Sequence, residues 1–304
     1  MIVRNKHIII LIAIIFTSFI SCTNNGRNQS ENQNAPNTSP KETPKAEAPK
    51  PQISGETTEV PWANDEKFKE ALVKNNTPIL MSAYQTVLKD PLPGEENNVH
   101  LAAEILSGAV VNPGEVFSQN QRVGPYSESR GFQKGPTYNG SKLETTIGGG
   151  VCKIASTLYN TTVLSNLPVI ERHAHGMPVP YVPYGQDATV WYGKKDFKFK
   201  NDTASPVLIW AQGIDNILYI GFYGRVKPPK VQWQHKMTNE IPPHKVYTLN
   251  TNLPSGTEKV IHEGMNGGIV KSWVIIQTNN GGTITKSFGE SRYRPMPYII
   301  EKGK

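Results

Sequence analysis

Three consecutive glycines, Gly148 to Gly150, run into Val151-Cys152 and then into a segment of helical character, Lys153 to Leu164. Glycine lets the backbone approach a ligand closely, and a helix that begins there presents N–H groups without intrahelical partners. The partial positive charge of a helix N-terminus lowers the pKa of a thiol, so Cys152 is a candidate nucleophile. A buried cysteine that packs a glycine-rich turn fits the same pattern equally well.

Two histidines and a carboxylate follow Cys152 in an order typical of cysteine nucleophiles. His173 and His175 are spaced i, i+2, so on an extended segment both project to the same face. One of them is a candidate general base, although both can be structural. A metal half-site is a weaker alternative, and without a clear third ligand we predict no metal. Asp187 precedes a predicted strand and is either the residue that orients the imidazole or an Asx-turn residue.

Arg172 lies directly before these histidines. Its guanidinium can bind a substrate carboxylate in a bidentate fashion, but a structural ion pair explains it equally well. Aromatic residues also crowd this region, among them Tyr181. Aromatic residues in β segments usually belong to the core, whereas exposed ones suit stacking on sugar rings. Arg172 and Tyr181 are therefore predicted substrate-binding residues.

Residues 1–21 predict a signal peptide: Arg4 and Lys6 precede an almost unbroken apolar run of 13 residues, Ile8 to Ile20, which is too short to span a bilayer. The run ends at a serine followed by Cys22, which resembles a bacterial lipobox. We therefore expect a lipid on Cys22, with an ordinary cleaved signal or an uncleaved anchor as the alternatives. The chain has 2 cysteines, so this lipidation leaves Cys152 without a disulfide partner.

Residues 22–61 predict a disordered tether, because they are rich in Asn, Pro, Lys, Glu and Thr and contain no aromatic residue before Pro61. The net charge of the full chain is +7, a mild excess that suits an anionic lipid or wall polymer. No Arg/Lys cluster is interleaved with aromatics, which argues against nucleic acid as a partner. The tether therefore predicts a lipid-anchored domain that reaches into the cell wall.

The remaining residues predict two domains. Residues 62–228 form an α+β domain, with helices at Ala63 to Lys74 and Val99 to Val110 packed on an antiparallel sheet built from later short β-type runs. These runs include Tyr181 to Pro183, Ala188 to Trp191, Val207 to Ala211 and Leu218 to Tyr223, whereas Val116 to Gly140 reads as loop. Residues 229–304 contain β-type runs punctuated by glycines and predict a small all-β domain.

Several spaced motifs together resemble the VanW family over roughly residues 80–225. The motifs are Asn112 to Ser118, Gly148 to Cys152, Ser156 to Asn160, Glu171 to His175, Tyr181 to Pro183 and Gly185 to Thr189. The family is named for a protein of vancomycin-resistance gene clusters, so the resemblance implies that the chain works in the cell envelope. No reaction is established for the family, so the resemblance implies none. The family commonly has Gln after the cysteine, where this chain has Lys153, which can replace an oxyanion donor or lower the thiol pKa.

Residues 230–304 resemble a G-five domain, a glycine-dotted β module of wall-acting proteins, which implies binding to glycan that contains N-acetylglucosamine. The order of cysteine, histidine and aspartate also resembles transglutaminase-like and papain-like cysteine hydrolases, an analogy of fold only. We predict peptidoglycan or wall glycan as partner, the membrane through Cys22, and no cofactor. The predicted substrate-binding set is Gly148, Gly149, Gly150, Lys153, Arg172 and Tyr181.

Two hypotheses about function remain open at this point. The chain is a lipid-anchored, extracytoplasmic protein that binds or remodels peptidoglycan, or it is a cysteine-dependent amidase, peptidase or transpeptidase. In the second case Cys152 attacks an amide carbonyl, His173 or His175 moves the proton, and Asp187 holds the imidazole. The distances among these side chains distinguish the two hypotheses.

Overall fold

The computed structural model describes residues 53–88, 91–139, 142–278 and 280–304. The predicted signal peptide, the lipidation site Cys22 and most of the predicted tether lie outside these ranges. Contacts divide the chain into the units Met1–Pro49 and Lys50–Lys304, and the described residues belong to the second unit. Across the described ranges, no helix combines the length and apolarity needed to cross a membrane.

The described part is mostly β-structure with a few helices. Its α-helices are α1 (Glu66–Asn75), α2 (Glu95–Leu106), α3 (Gln119–Arg122) and α4 (Cys152–Leu164). The first strands in chain order are β1 (Gly55–Glu56), β2 (Ile79–Val87), β3 (Ala109–Val111), β4 (Val116–Ser118), β5 (Lys134–Asn139), β6 (Lys142–Ile147), β7 (Val169–Glu171), β8 (Lys198–Lys200), β9 (Val207–Ile214) and β10 (Ile217–Gly224). An antiparallel sheet has the order β1-β2-β10-β9-β3, a smaller one the order β4-β8-β7, and β5 and β6 form a hairpin.

The C-terminal part is all β, as the sequence predicts. Its strands are β11 (Val231–Ile241), β12 (Lys245–Leu249), β13 (Glu258–His262), β14 (Gly267–Gln277), β15 (Thr283–Tyr293) and β16 (Tyr298–Lys302). Three of them form the antiparallel sheet β11-β14-β15, and the other three form the sheet β12-β16-β13, in which β12 runs parallel to β16. This part is called the C-terminal module below.

Helix α4 forms the centre of the fold. Every residue from Lys153 to Leu164 is buried, so the polar side chains of the helix need internal partners. One of them, Thr157, lies 2.9 Å from the hydroxyl of Thr86 on β2. On the opposite side, the ring of Tyr159 packs on two aromatic rings of the C-terminal module, with centroid distances of 5.5 Å to Trp233 and 6.0 Å to Phe288. The helix is therefore enclosed by the five-stranded sheet and the module.

The predicted helix from Val99 to Val110 is misplaced along the chain. Helix α2 begins at Glu95 and ends at Leu106, and the residues after it form strand β3 on the edge of the main sheet. Gly108 has a φ of 75°, a left-handed conformation that turns the chain into this strand. The apolar run continues through the turn, so periodicity alone did not reveal the break.

Two predicted strands near the histidines, Tyr181 to Pro183 and Ala188 to Trp191, are also wrong. These residues are turns and irregular backbone, apart from an isolated bridge at Trp191. Their backbone groups bond outside a regular ladder: the Ala188 N–H donates to the Ser156 hydroxyl at 2.9 Å. The loop predicted from Val116 to Gly140 contains strands β4 and β5. In both regions tertiary contacts override the local pattern.

Candidate functional site

The glycine turn joins strand β6 to helix α4 in a space that admits no side chain. A Cβ on Gly149 would lie 2.1 Å from the backbone oxygen of Gly135, and one on Gly150 would lie 2.6 Å from a side-chain carbon of Glu95. Gly148 and Gly150 also have positive φ angles of 77° and 98°. Close packing therefore accounts for the three glycines, and their role in substrate binding stays a prediction.

Cys152 is the first residue of α4, and the residue as a whole is partly buried. Its sulfur lies 3.3 Å from the hydroxyl of Thr189 and 3.7 Å from the carbonyl oxygen of Val190. The Thr189 N–H in turn donates to the carbonyl of His173 at 2.8 Å. These contacts bring the histidine-bearing loop that follows β7 alongside the thiol.

His175 is the imidazole that is coupled to Cys152, since hydrogen bonding and charge between the two groups shift the pKa of each. Its Nδ1 lies 2.7 Å from Oδ2 of Asp187, and its own backbone N–H donates to the same oxygen at 2.7 Å. The structure thus brings together three residues that the sequence predicts as nucleophile, base and orienting acid: Cys152, His175 and Asp187.

Asp187 is held by more than the imidazole. Its side chain is 2% exposed, and its other oxygen, Oδ1, accepts from Arg172 at 2.9 Å and from the hydroxyl of Tyr293. The Nε of Arg172 also donates to the backbone oxygen of Asp187 at 2.7 Å. Arg172 therefore forms an ion pair with Asp187, and its role in substrate binding stays a prediction.

The pKa values of the three side chains favour a charged thiol–imidazole pair. Burial alone would raise the pKa of Cys152, but hydrogen bonding to His175 and its positive charge outweigh burial and lower it. Burial would lower the pKa of His175, yet its contacts with Asp187 and Cys152 raise it to about 9. Burial opposes ionisation of Asp187 as well, but His175 and Arg172 lower its pKa to about 2. Imidazolium and carboxylate are thus the favoured forms near neutral pH, and the lowered pKa of Cys152 shifts the thiol towards the thiolate.

His173 belongs to a different cluster. Its Nε2 lies 3.0 Å from the carboxylate of Glu171, which also binds Lys198 at 2.8 Å. Contact with Lys198 and, to a smaller extent, with His173 lowers the pKa of Glu171 to about 2, against a weaker effect of burial. His173 also lines a cleft of about 480 Å³ together with residues of the C-terminal module such as Lys286. Of the two candidate bases, the structure therefore favours His175.

Lys153 points away from the thiol. It is 3% exposed, and its ammonium donates to the carbonyl of Asn216 at 2.9 Å. Burial lowers its pKa to about 8, against the opposing charges of Glu95 and Glu96. A buried ammonium that faces Asn216 does not contact the sulfur, so neither the predicted effect on the thiol nor the predicted substrate contact gains support from this geometry.

Tyr181, the other predicted substrate-binding residue, is 8% exposed and belongs to the hydrophobic core. The structure adds three contributors that the sequence reasoning missed: Thr189 at the sulfur, and Ser291 and Tyr293 from strand β15. The last two lie more than 100 residues from Asp187 in the chain, and no local pattern marks them. Among the described residues, no group of His, Cys, Asp and Glu is arranged to hold a metal ion.

Comparison with known proteins identifies two regions of the chain. Residues 94–223 match the VanW family, described as VanW like protein, and residues 233–304 match the G5 domain. Protein YoaR of Bacillus subtilis (strain 168) is 35% identical over 143 residues, which are 47% of this chain and 47% of YoaR. Vancomycin B-type resistance protein VanW of Enterococcus faecalis (strain ATCC 700802 / V583) is 32% identical over 142 residues, 45% of this chain and 51% of that protein. The chain thus spans about half the length of these relatives.

Two solved structures resemble the C-terminal region. One is described as the IgA1 protease G5 domain structure, with 26% identity, 27% of this chain and 98% of that chain covered, and a TM-score of 0.16. The other is the crystal structure of HP0197-G5, with 18% identity, coverage of 24% and 99%, and a TM-score of 0.15. The assignment of this region as a G5 domain rests on the sequence match. The likeness to cysteine-hydrolase folds that the residue order indicated is not confirmed.

Proposed function

Because the chain carries a VanW-like domain followed by a G5 domain, we propose that it works in the cell envelope as a cysteine-dependent amide hydrolase or transpeptidase acting on peptidoglycan stem peptides. The observation that carries this proposal is that His175, whose Nδ1 lies 2.7 Å from the buried carboxylate of Asp187, is electrostatically coupled to the Cys152 thiol. A packed cysteine needs neither an adjacent imidazole nor a carboxylate that holds the ring.

In the first step, the thiolate of Cys152 attacks the amide carbonyl carbon and a C–S bond forms. The His175 imidazolium then gives its proton to the amide nitrogen, the C–N bond breaks, and the amine departs from a thioester. Water or a second amine next attacks the thioester carbonyl and loses its proton to the neutral imidazole. The C–S bond breaks, which restores thiolate and imidazolium. Water as the acceptor gives hydrolysis, and an amine gives transpeptidation.

The start of helix α4 is where the proposal places the developing oxyanion. The N–H groups of Gly149, Val151 and Lys153 already donate to carbonyls within the turn. We therefore assign the oxyanion to the N–H of Cys152, in the first turn of the helix, where N–H groups lack intrahelical acceptors. The side chain of Lys153 has no part in this assignment, because it bonds to Asn216.

We propose peptidoglycan as the substrate because a VanW-like domain and a G5 domain occur together in this chain. The name of the Enterococcus faecalis relative refers to vancomycin resistance, and G5 domains are associated with wall sugars, as the resemblance implies. The proposed leader and the proposed lipid on Cys22 would keep the chain on the outer side of the membrane, next to the wall. A role in glycopeptide resistance or wall remodelling is part of this proposal.

A second candidate function is binding without catalysis. The sheet that contains β12 and β13 carries exposed apolar side chains, including Tyr247 at 50%, Val260 at 47% and Leu249 at 67% exposure. Exposed aromatic and aliphatic groups suit contact with sugar rings. In that case the chain is an anchored wall-binding protein and Cys152 has a packing role.

Digestion of purified peptidoglycan separates the two candidates. The purified chain is incubated with sacculi and with soluble muropeptides, and the products are identified by mass spectrometry. We expect cleaved or exchanged stem-peptide amides with the wild type, and none with Cys152→Ala or His175→Ala. His173→Ala is the matched control, because this imidazole pairs with Glu171, and it should retain activity. If Cys152→Ala gives the same products, or every protein merely sediments with sacculi, the catalytic proposal is wrong.

A further inference from the structure

Strand β15 of the C-terminal module reaches the Asp187 side chain. The hydroxyl of Tyr293 donates to Oδ1 of Asp187 and accepts the backbone N–H of Gly185 at 2.9 Å. Tyr293 is only 3% exposed, so this contact is shielded from water. One hydroxyl of the module therefore ties together both the carboxylate and the loop that carries it.

The neighbouring side chain on β15 holds the other partner of that carboxylate. The hydroxyl of Ser291 accepts from the guanidinium of Arg172 at 2.8 Å, and the same guanidinium donates to Asp187. Because His175 donates twice to Oδ2 while Arg172 and Tyr293 donate to Oδ1, both oxygens of Asp187 have their partners. A carboxylate bound in this way has one allowed orientation.

A third contact clamps the same loop between the two domains. The amide of Gln186 accepts from the hydroxyl of Tyr84 on the main sheet at 3.1 Å and lies 2.9 Å from Nε2 of His235 on β11. Burial, and secondarily the charge of Arg172, lowers the pKa of His235 to about 4. The ring is therefore neutral at neutral pH, and Nε2 can accept the Gln186 N–H.

We infer that the C-terminal module is part of the site that carries out the proposed reaction. Tyr293 and Ser291 are positioning residues that fix Asp187 and, through it, His175. The inference rests on the proposed function. Its physical basis is that a carboxylate orients an imidazole only when its own rotamer is fixed, and here that rotamer is fixed from the module.

The test compares two tyrosines that both cross from one domain to the other. Tyr293→Phe removes the hydroxyl on Asp187, whereas the matched control Tyr184→Phe removes a hydroxyl that donates to the carbonyl of Asn266 at 2.7 Å. The rate of Cys152 alkylation by iodoacetamide is measured against pH on the full chain. Folding of each variant is checked by circular dichroism and thermal unfolding.

We expect the Tyr293→Phe profile to move upward by about half to one pH unit, roughly half the effect of losing a hydrogen bond to a charged group, because Tyr293 acts on the thiol only through Asp187 and His175. The Tyr184→Phe profile should coincide with that of the wild type. Equal shifts in both variants, or no shift in Tyr293→Phe, would overturn the inference.

A second variant decides the matter if Tyr293→Phe does not fold. Ser291→Ala loses the contact with Arg172 and should shift the profile in the same direction by a smaller amount, and an unchanged profile would then overturn the inference. Failure of the proposed function looks different. In that case the rate of Cys152 alkylation in the wild type depends on pH as it does for an unperturbed cysteine, whatever the profiles of the variants are.

Discussion

Replacing Asp187 with Asn probes the electrostatic centre of the site. Asn has almost the same shape but no charge, so the substitution removes the partner of the His175 imidazole and of the Arg172 guanidinium. Asp187 is 2% exposed, which limits the access of water that would otherwise replace the lost contacts. Both the stability of the fold and the titration of the imidazole should therefore respond.

The pKa values of Asp187 and His175 define the pH range in which Asp187→Asn lowers the free energy of unfolding. Asp187 has its pKa lowered from 3.8 to about 2, so its contribution is present above pH 3.8 and is lost as pH falls through about 2. His175 has its pKa raised from 6.5 to about 9, so its contribution is present below pH 6.5 and is lost as pH rises through about 9. Because one pKa unit corresponds to about 1.4 kcal/mol, Asp187→Asn should cost about 2 kcal/mol between about pH 4 and pH 6.5.

Urea unfolding at several pH values measures this cost. We expect the difference in free energy of unfolding between wild type and Asp187→Asn to be largest near pH 5 and to shrink at both pH 2.5 and pH 9.5. Asp202→Asn, at an exposed position, serves as the control and should change little. In parallel, NMR titration should give a lower pKa for His175 in Asp187→Asn. A difference independent of pH, or an imidazole that titrates as in the wild type, would refute the assigned coupling.

Further substitutions test the surroundings of the thiol. Gly149→Ala should cost about 3 kcal/mol or prevent folding, because its Cβ meets backbone at 2.1 Å, whereas Gly55→Ala, with nothing within 4 Å, should stay within about 0.5 kcal/mol by urea unfolding. Lys153→Gln should leave the pH profile of Cys152 alkylation unchanged, since the ammonium bonds to Asn216. An upward shift would instead support the prediction that Lys153 lowers the pKa of the thiol. Thr189→Val removes the hydroxyl 3.3 Å from the sulfur and should slow alkylation at pH 7 by about threefold, through a hydrogen bond of roughly 0.7 kcal/mol; an unchanged or faster rate would mean that this contact does not favour the thiolate.

Several elements of the fold followed from local pattern. Helix α4 begins where the glycines end, and Asp65 caps α1 by accepting the N–H of Phe68 at 2.9 Å. The all-β character of the C-terminal module was also predictable from the sequence, because the alternation of apolar and polar residues and the glycines at turns are local properties. The predicted bounds of helix α2 were shifted towards the C-terminus, because the apolar run of the helix continues across the turn at Gly108 into strand β3.

The candidate site was predictable only as a set of residue types. Cys152, His175 and Asp187 were all named from the sequence, but so was His173, whose spacing is equivalent on an extended segment. The choice between the two histidines depends on which ring faces the thiol, and the segment that carries them leaves the strand at Glu171. The predicted role of Lys153 gains no support for a related reason: adjacency to Cys152 in the chain does not imply adjacency of side chains on a helix.

The sequence by itself determined which reactive groups the chain possesses, where the thiol-bearing helix begins, and the all-β character of the C-terminal module. These properties depend on backbone preferences within a few residues. Only the tertiary structure decided that His175 is the imidazole coupled to the thiol, that Lys153 is buried facing Asn216, and that Tyr293 completes the surroundings of Asp187. Those relations depend on how distant segments pack, because hydrogen bonds and charges act through space whatever the separation along the chain.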